Sequence, residues 1–172
     1  MSFIQNNETS KVYAPGYFLA HEECVRETKQ FAQNSALVVT SEDGAKHVPM
    51  GTAYPTNDGN AIGITYEDVD VTTGNMPGSV VTKGIVYENR LAITGESYDA
   101  VTPETGDNPA EKGWYERSGS AGAYVYTLTT DTTVGDGKTY YARSDVRLAS
   151  AAKTALAALG FKFVNDTTVT RP

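Results

Sequence analysis

The sequence predicts a mainly β fold of the α+β type, a small barrel or sandwich-like domain with one helix near its C-terminus. Three observations carry that expectation. Short runs of β-branched residues recur between Gly, Pro, Asn and Asp turn signals. Tyr124–Thr129 (YVYTLT) alternates strictly, with Tyr124, Tyr126 and Leu128 on one face. Near the end the period changes to that of a helix, with Leu148, Ala152, Ala155, Leu156 and Leu159 on one stripe.

Taken in order, residues 1–16 are polar and end at Pro15–Gly16, which predicts an extended N-terminal arm. Phe3, Ile4, Val12 and Tyr13 are its apolar anchors. Residues 17–172 then form a single β-rich domain. Tyr17–Lys29 fits a short helix or a strand equally. Ala36–Thr40 is a strand candidate that ends in the turn Ser41–Gly44. Ala61–Tyr66 is a second strand. Ser79–Thr82 with Ile85–Tyr87 is a third, broken near Gly84 and preceded by a turn at Asn75–Gly78. Gly63 and Gly84 each suit a bulge or a close backbone approach.

From Thr94 to about Gly122 glycine and proline dominate and aliphatic residues are few, which predicts a long loop insertion. Trp114 and Tyr115 are its large apolar residues, either a packing anchor or an exposed binding platform. Tyr124–Thr129 and Thr139–Arg143, joined across Gly135–Gly137, read as a late β-hairpin. An alanine-rich helix is expected over Val146–Leu159, capped by Ser144 or Asp145 and closed by Gly160. Phe161–Val164 follows as a strand.

The chain has 172 residues, a net charge of −7 and a pI near 4.8. Its 14 basic residues stand singly among 21 acidic ones. That distribution argues against nucleic acid and against an anionic membrane surface as partners, since both need clustered Lys and Arg. No signal-peptide pattern and no apolar run of membrane-spanning length stand out, so a soluble protein made in a cytoplasm is expected. Cys24 has no partner for an intrachain disulfide and reads as a small buried hydrophobe, with His21 three residues away.

No catalytic or cofactor motif emerges. The histidines His21 and His47 have no metal-ligand spacing, and nucleophile-elbow and phosphate-loop patterns are absent. No cofactor or metal is therefore expected, nor an enzymatic activity. The densest acidic stretch is Glu67–Asp68–Val69–Asp70. Asp68 and Asp70 lie on one side of a strand, where they could bind calcium weakly, act as an acid/base pair, or simply end a strand in solvent.

The segment Asn60–Leu91 reads NAIGITYEDVDVTTGNMPGSVVTKGIVYENRL. Its glycine–aliphatic pair Gly63–Ile64, acidic Asp68–Thr72, turn, apolar strand, Gly84–Val86 step and Arg90–Leu91 resemble the pattern of tailed-phage head decoration and head fiber proteins. The preceding Pro49–Tyr54 (PMGTAY) fits the same pattern, and the whole is distantly similar to the lambda-type trimeric decoration proteins. Tyr126–Tyr141 looks like a hairpin module of phage structural proteins. The resemblance implies a homotrimer on the outer surface of the virion capsid, with the major capsid protein as partner and the N-terminal arm as contact. An alternative within it is a head fiber or tail-associated module that binds a host-surface glycan through Trp114 and Tyr115.

Overall fold

A computed structural model describes residues 13–168. The fold is mainly β, with several sheets and, among the described residues, one α-helix, and its described strands close no barrel. The strands of the first half are β1 (Val25–Phe31), β2 (Val39–Thr40), β3 (Lys46–Val48), β4 (Ala53–Tyr54), β5 (Gly63–Thr65), β6 (Val69–Asp70), β7 (Met76–Lys83) and β8 (Ile85–Tyr87). After them come β9 (Gly95–Val101), β10 (Tyr115–Ser118), β11 (Val125–Leu128) and β12 (Tyr140–Val146). Helix α1 (Ser150–Ala158) and β13 (Lys162–Val164) are the last of the described elements.

These elements fall into two compact units. The first takes the described residues up to Ala92 and from Arg147 onward, and the second is Ile93–Val146.

The first unit is organised around β7. Its sheet runs in the order β1-β7-β5-β4, all antiparallel. Successive strand residues point to opposite faces, yet Val80 and Val81 are both fully buried. The reason is that each face meets its own apolar cluster. Val81 lies with Phe18, Ile64, Leu91, Leu156 and Phe161, and Val80 with Phe31, Val48, Val69 and Val71. The sheet is thus a partition between two small cores. β5 crosses β7 through Ile64–Val81 and Thr65–Val80. Gly63 sits at that crossing because a Cβ there would overlap the Val80 side chain and lie 2.5 Å from the Val81 carbonyl oxygen.

Several expectations shift here. The undecided stretch Tyr17–Lys29 becomes a bridge from Leu19 to Val86 followed by β1. The expected turn Asn75–Gly78 is instead Thr72–Gly74, and Met76–Gly78 belongs to β7. Pro77 is tolerated because β5 pairs β7 at Val80 and Val81 only, leaving Pro77 with β1 alone as ladder partner. Of Ala36–Thr40, Val39–Thr40 alone is strand. Cys24 is half-buried rather than buried.

Helix α1 is shorter than Val146–Leu159, because β12 runs through Val146. Its N-cap is Ala149, without a side-chain cap, so neither Ser144 nor Asp145 caps it. Instead Asn57 holds the helix start from another segment, its Oδ1 accepting the Ala149 N–H at 2.9 Å. Ala152 and Leu156, one turn apart, are the buried pair. The C-terminus ends as expected at Gly160, whose φ of +97° is left-handed. Phe161 N–H donates to Leu156 and Gly160 N–H to Ala157, the paired bonds of a Schellman motif.

β13 then pairs parallel with β8 and is locked by an arginine clamp. The Arg90 guanidinium lies 4.7 Å from the Tyr17 ring centre and 4.6 Å from that of Tyr87. It donates to the Tyr17 carbonyl and forms an ion pair with Asp166. Asn89 and Asp166 exchange further hydrogen bonds. The Thr168 hydroxyl and backbone N–H, followed by Arg90, hold the Asp166 carboxyl down from 3.8 to about 2. The folded carboxyl therefore binds its proton less tightly than the unfolded one. Its stabilising effect is complete above the unfolded value, about pH 4, and is lost as pH falls through about 2. Protection of the Lys162–Val164 amides, taken relative to the intrinsic exchange rate at each pH, should fall across that window in the native protein. In Asp166→Asn the same step should be missing.

The second unit is a four-stranded antiparallel sheet in the order β11-β10-β12-β9. The loop expected over 94–122 contains β9 and β10, and the insertion extends to Val146. The expected hairpin of Tyr124–Thr129 with Thr139–Arg143 does not form, since β10 lies between β11 and β12. The true hairpin is β10–β11, and β12 instead pairs along its whole length with β9.

Candidate binding surface

In the second unit tyrosines take the place of aliphatic core residues. Alternation along the paired strands puts Tyr98 (β9), Tyr115 and Arg117 (β10), Tyr126 and Leu128 (β11), and Tyr141 and Arg143 (β12) on one face. Tyr98 and Tyr126 stack in parallel at 4.0 Å. Tyr115 meets Tyr98 edge-on at 5.2 Å, and Tyr141 meets Tyr126 edge-on at 5.3 Å. Arg117 lies 4.2 Å from the Tyr124 ring centre and 5.0 Å from that of Tyr141. These rings satisfy one another in preferred aromatic geometries.

The opposite face holds a polar network. Fully buried Tyr140 donates to Asp131 at 2.6 Å and accepts from the Gly135 N–H. Lys138 bridges Asp131 and Glu116, and Thr129 donates to Glu116. Lys138, then Tyr140, holds the Asp131 carboxyl below its usual value, while the hydrogen bond to Asp131 pushes the Tyr140 hydroxyl up. This network fastens the segment between β11 and β12.

Trp114 and Tyr115 do meet in one place. A shallow groove of about 380 Å³ is lined by Lys112, Trp114, Tyr115, Ala142, Arg143 and Asp145, with Gly113. It opens where β10 begins at Tyr115 and β12 runs on past it. Trp114 is half-buried and tilts against Tyr140 at 5.8 Å. Its carbonyl accepts the Thr129 N–H, so it also anchors the sheet. Both cations of the groove have carboxylate partners: Lys112 pairs with Asp107 at 3.1 Å and Arg143 with Glu96 at 2.8 Å. Exposed pairs of this kind are weak. Sequence reading missed Arg143 and Asp145, which follow Trp114 only after two further strands have passed. Their signal was the alternation of Tyr141, Arg143 and Asp145, legible only once β12 is known to run through Val146.

The remaining candidates separate. Phe3, Ile4 and Val12 lie outside the described residues. Tyr13 is no free arm anchor: its ring lies 4.4 Å from that of Tyr17, and it packs on the larger core cluster. Gly16 N–H donates to Tyr66, so the domain begins by Tyr13 rather than after residue 16. Asp68 and Asp70 are both exposed but engaged. Asp68 accepts the Met50 N–H at 2.7 Å, and Asp70 the Thr72 N–H at 2.8 Å. The Thr72 hydrogen bonds lower the Asp70 carboxyl. Both acids thus set the geometry of the chain before and after β6. Among the described residues no three His, Cys, Asp or Glu side chains are grouped to hold a metal ion, and no helix is long and apolar enough to cross a membrane. No protein-family model, curated protein or solved structure matches the chain.

Proposed function

We propose that the protein is a structural component of a tailed-phage virion that binds the outer surface of the expanded capsid and stabilises it. One observation carries this reading. The segment that resembles the decoration and head fiber pattern, Asn60–Leu91, supplies β5 to β8, the centre of the first unit. Within it the acidic Asp68–Thr72 stretch is used for main-chain hydrogen bonds. The pattern is therefore a folding pattern rather than a set of reactive groups, as suits a binding scaffold.

A scaffold that touches several capsomers engages only the lattice whose spacing fits it, and binding stabilises that lattice by linkage. Phe3, Ile4 and Val12 are the proposed contacts with the major capsid protein, able to add a strand to an exposed sheet edge. Tyr13 leaves that set. Gradient-purified phage particles provide the test. The protein should be present in them at a fixed ratio to capsid protein, and antibodies against it should label heads. Particles that lack it, or label only on tails, would overturn the reading.

A further inference from the structure

The edges of the sheets differ in how they are guarded. An exposed edge strand offers unpaired N–H and C=O groups, and proteins block such edges with charges, prolines or short length. β1 is guarded by Arg26, Glu27 and Lys29, and β9 by Glu96 and Asp99. β4 is two residues long and ends at Pro55. β11 is the exception. From Ser118 to Thr130 the chain reads SGSAGAYVYTLTT, thirteen residues without a charge. Val125 is 59% exposed, Leu128 54% and Tyr124 42%.

The direction of its backbone is also set. The Thr129 N–H donates to Trp114 on the β10 side. Alternation in an antiparallel pair then turns the N–H and C=O of Tyr124, Tyr126 and Leu128 away from β10, and among the described residues β11 has no second neighbour in its sheet. The second unit carries 4 Lys and Arg against 9 Asp and Glu, a net −5 for residues 93–146. Two copies therefore repel over most of this unit, and least along β11.

We propose that β11 pairs antiparallel with β11 of a second copy of this chain. A two-fold axis at Tyr126 sets Tyr126 against its counterpart, Tyr124 against Leu128 and Val125 against Thr127, with no charge in the register. A two-fold interface needs such self-complementarity, and aromatic–aliphatic cross-strand pairs are favourable. The guarded edge of β9 would place Glu96 and Asp99 in an otherwise uncharged ladder, which disfavours head-to-tail growth. The pairing makes an eight-stranded sheet across two copies and would join neighbouring molecules on a shell.

Sedimentation equilibrium of the full chain tests it, alongside Leu128→Lys, which adds the missing edge charge at an exposed position. The native chain should show a dimer that the variant weakens by roughly tenfold or more. Amide exchange at Tyr124, Tyr126 and Leu128 should slow as concentration rises in the native chain and not in the variant. A monomer at every concentration, or an oligomer indifferent to Leu128→Lys, would each overturn the pairing. The capsid-binding reading stands or falls separately, on the particle labelling above.

Discussion

Replacing Gly63 by alanine will destabilise the first unit by about 3 kcal/mol, at the upper end of what overpacking costs. The added Cβ meets the Val80 side chain and, at 2.5 Å, the Val81 carbonyl oxygen. A side chain can turn aside, but the Val81 oxygen belongs to the central strand of the sheet. Moving it disturbs Val80 and Val81 together, and hence both apolar clusters at once. Urea unfolding should show an earlier midpoint with an unchanged slope. A change within about 0.5 kcal/mol, the usual range for a surface site, would mean that β5 stands off β7 more freely than this packing allows.

Phe18→Ala will cost about 3–5 kcal/mol, the usual range for an emptied aromatic core site. Phe18 is fully buried in the larger cluster, and its carbonyl accepts the Tyr87 N–H at 2.7 Å. The loss is felt where the start of the domain joins β8. Deletion of residues 2–12, which stops short of Tyr13, should leave urea unfolding unchanged while weakening the proposed capsid binding. The two variants thus separate folding from attachment. A truncation as destabilising as Phe18→Ala would place residues 2–12 in the folding core and remove them as a capsid contact.

The parts of the fold that the sequence made legible are those where a period and a punctuation mark coincide. Helix α1 shows a stripe ending at Gly160, and Gly160 adopts the left-handed conformation that closes it. Gly63 could be read as a bulge or a close approach because a glycine inside an apolar strand weakens it, and the structure makes it a close approach. The errors have equally specific causes. Asn75–Gly78 has turn composition, yet strand pairing with β1 overrides it at a position where Pro77 costs no second ladder bond. β9 and β10 were hidden because their apolar surface is tyrosine rather than Val, Ile or Leu. The hairpin expectation failed for the same reason: β10, only four residues long, takes the place between β11 and β12. Of the candidate site, Trp114 and Tyr115 were visible as large residues in a Gly/Pro-rich stretch. Arg117 and Arg143 were not, since their places beside the tyrosines depend on cross-strand register.

The proposed decoration role is decided by co-sedimentation of the protein with tailed-phage capsids, unexpanded and expanded. Saturable binding to expanded shells alone, at a fixed ratio to capsid subunits, is the outcome the lattice-spacing argument predicts. Equal binding to both shells would contradict the selection of the expanded lattice, and binding to neither would contradict the decoration role itself.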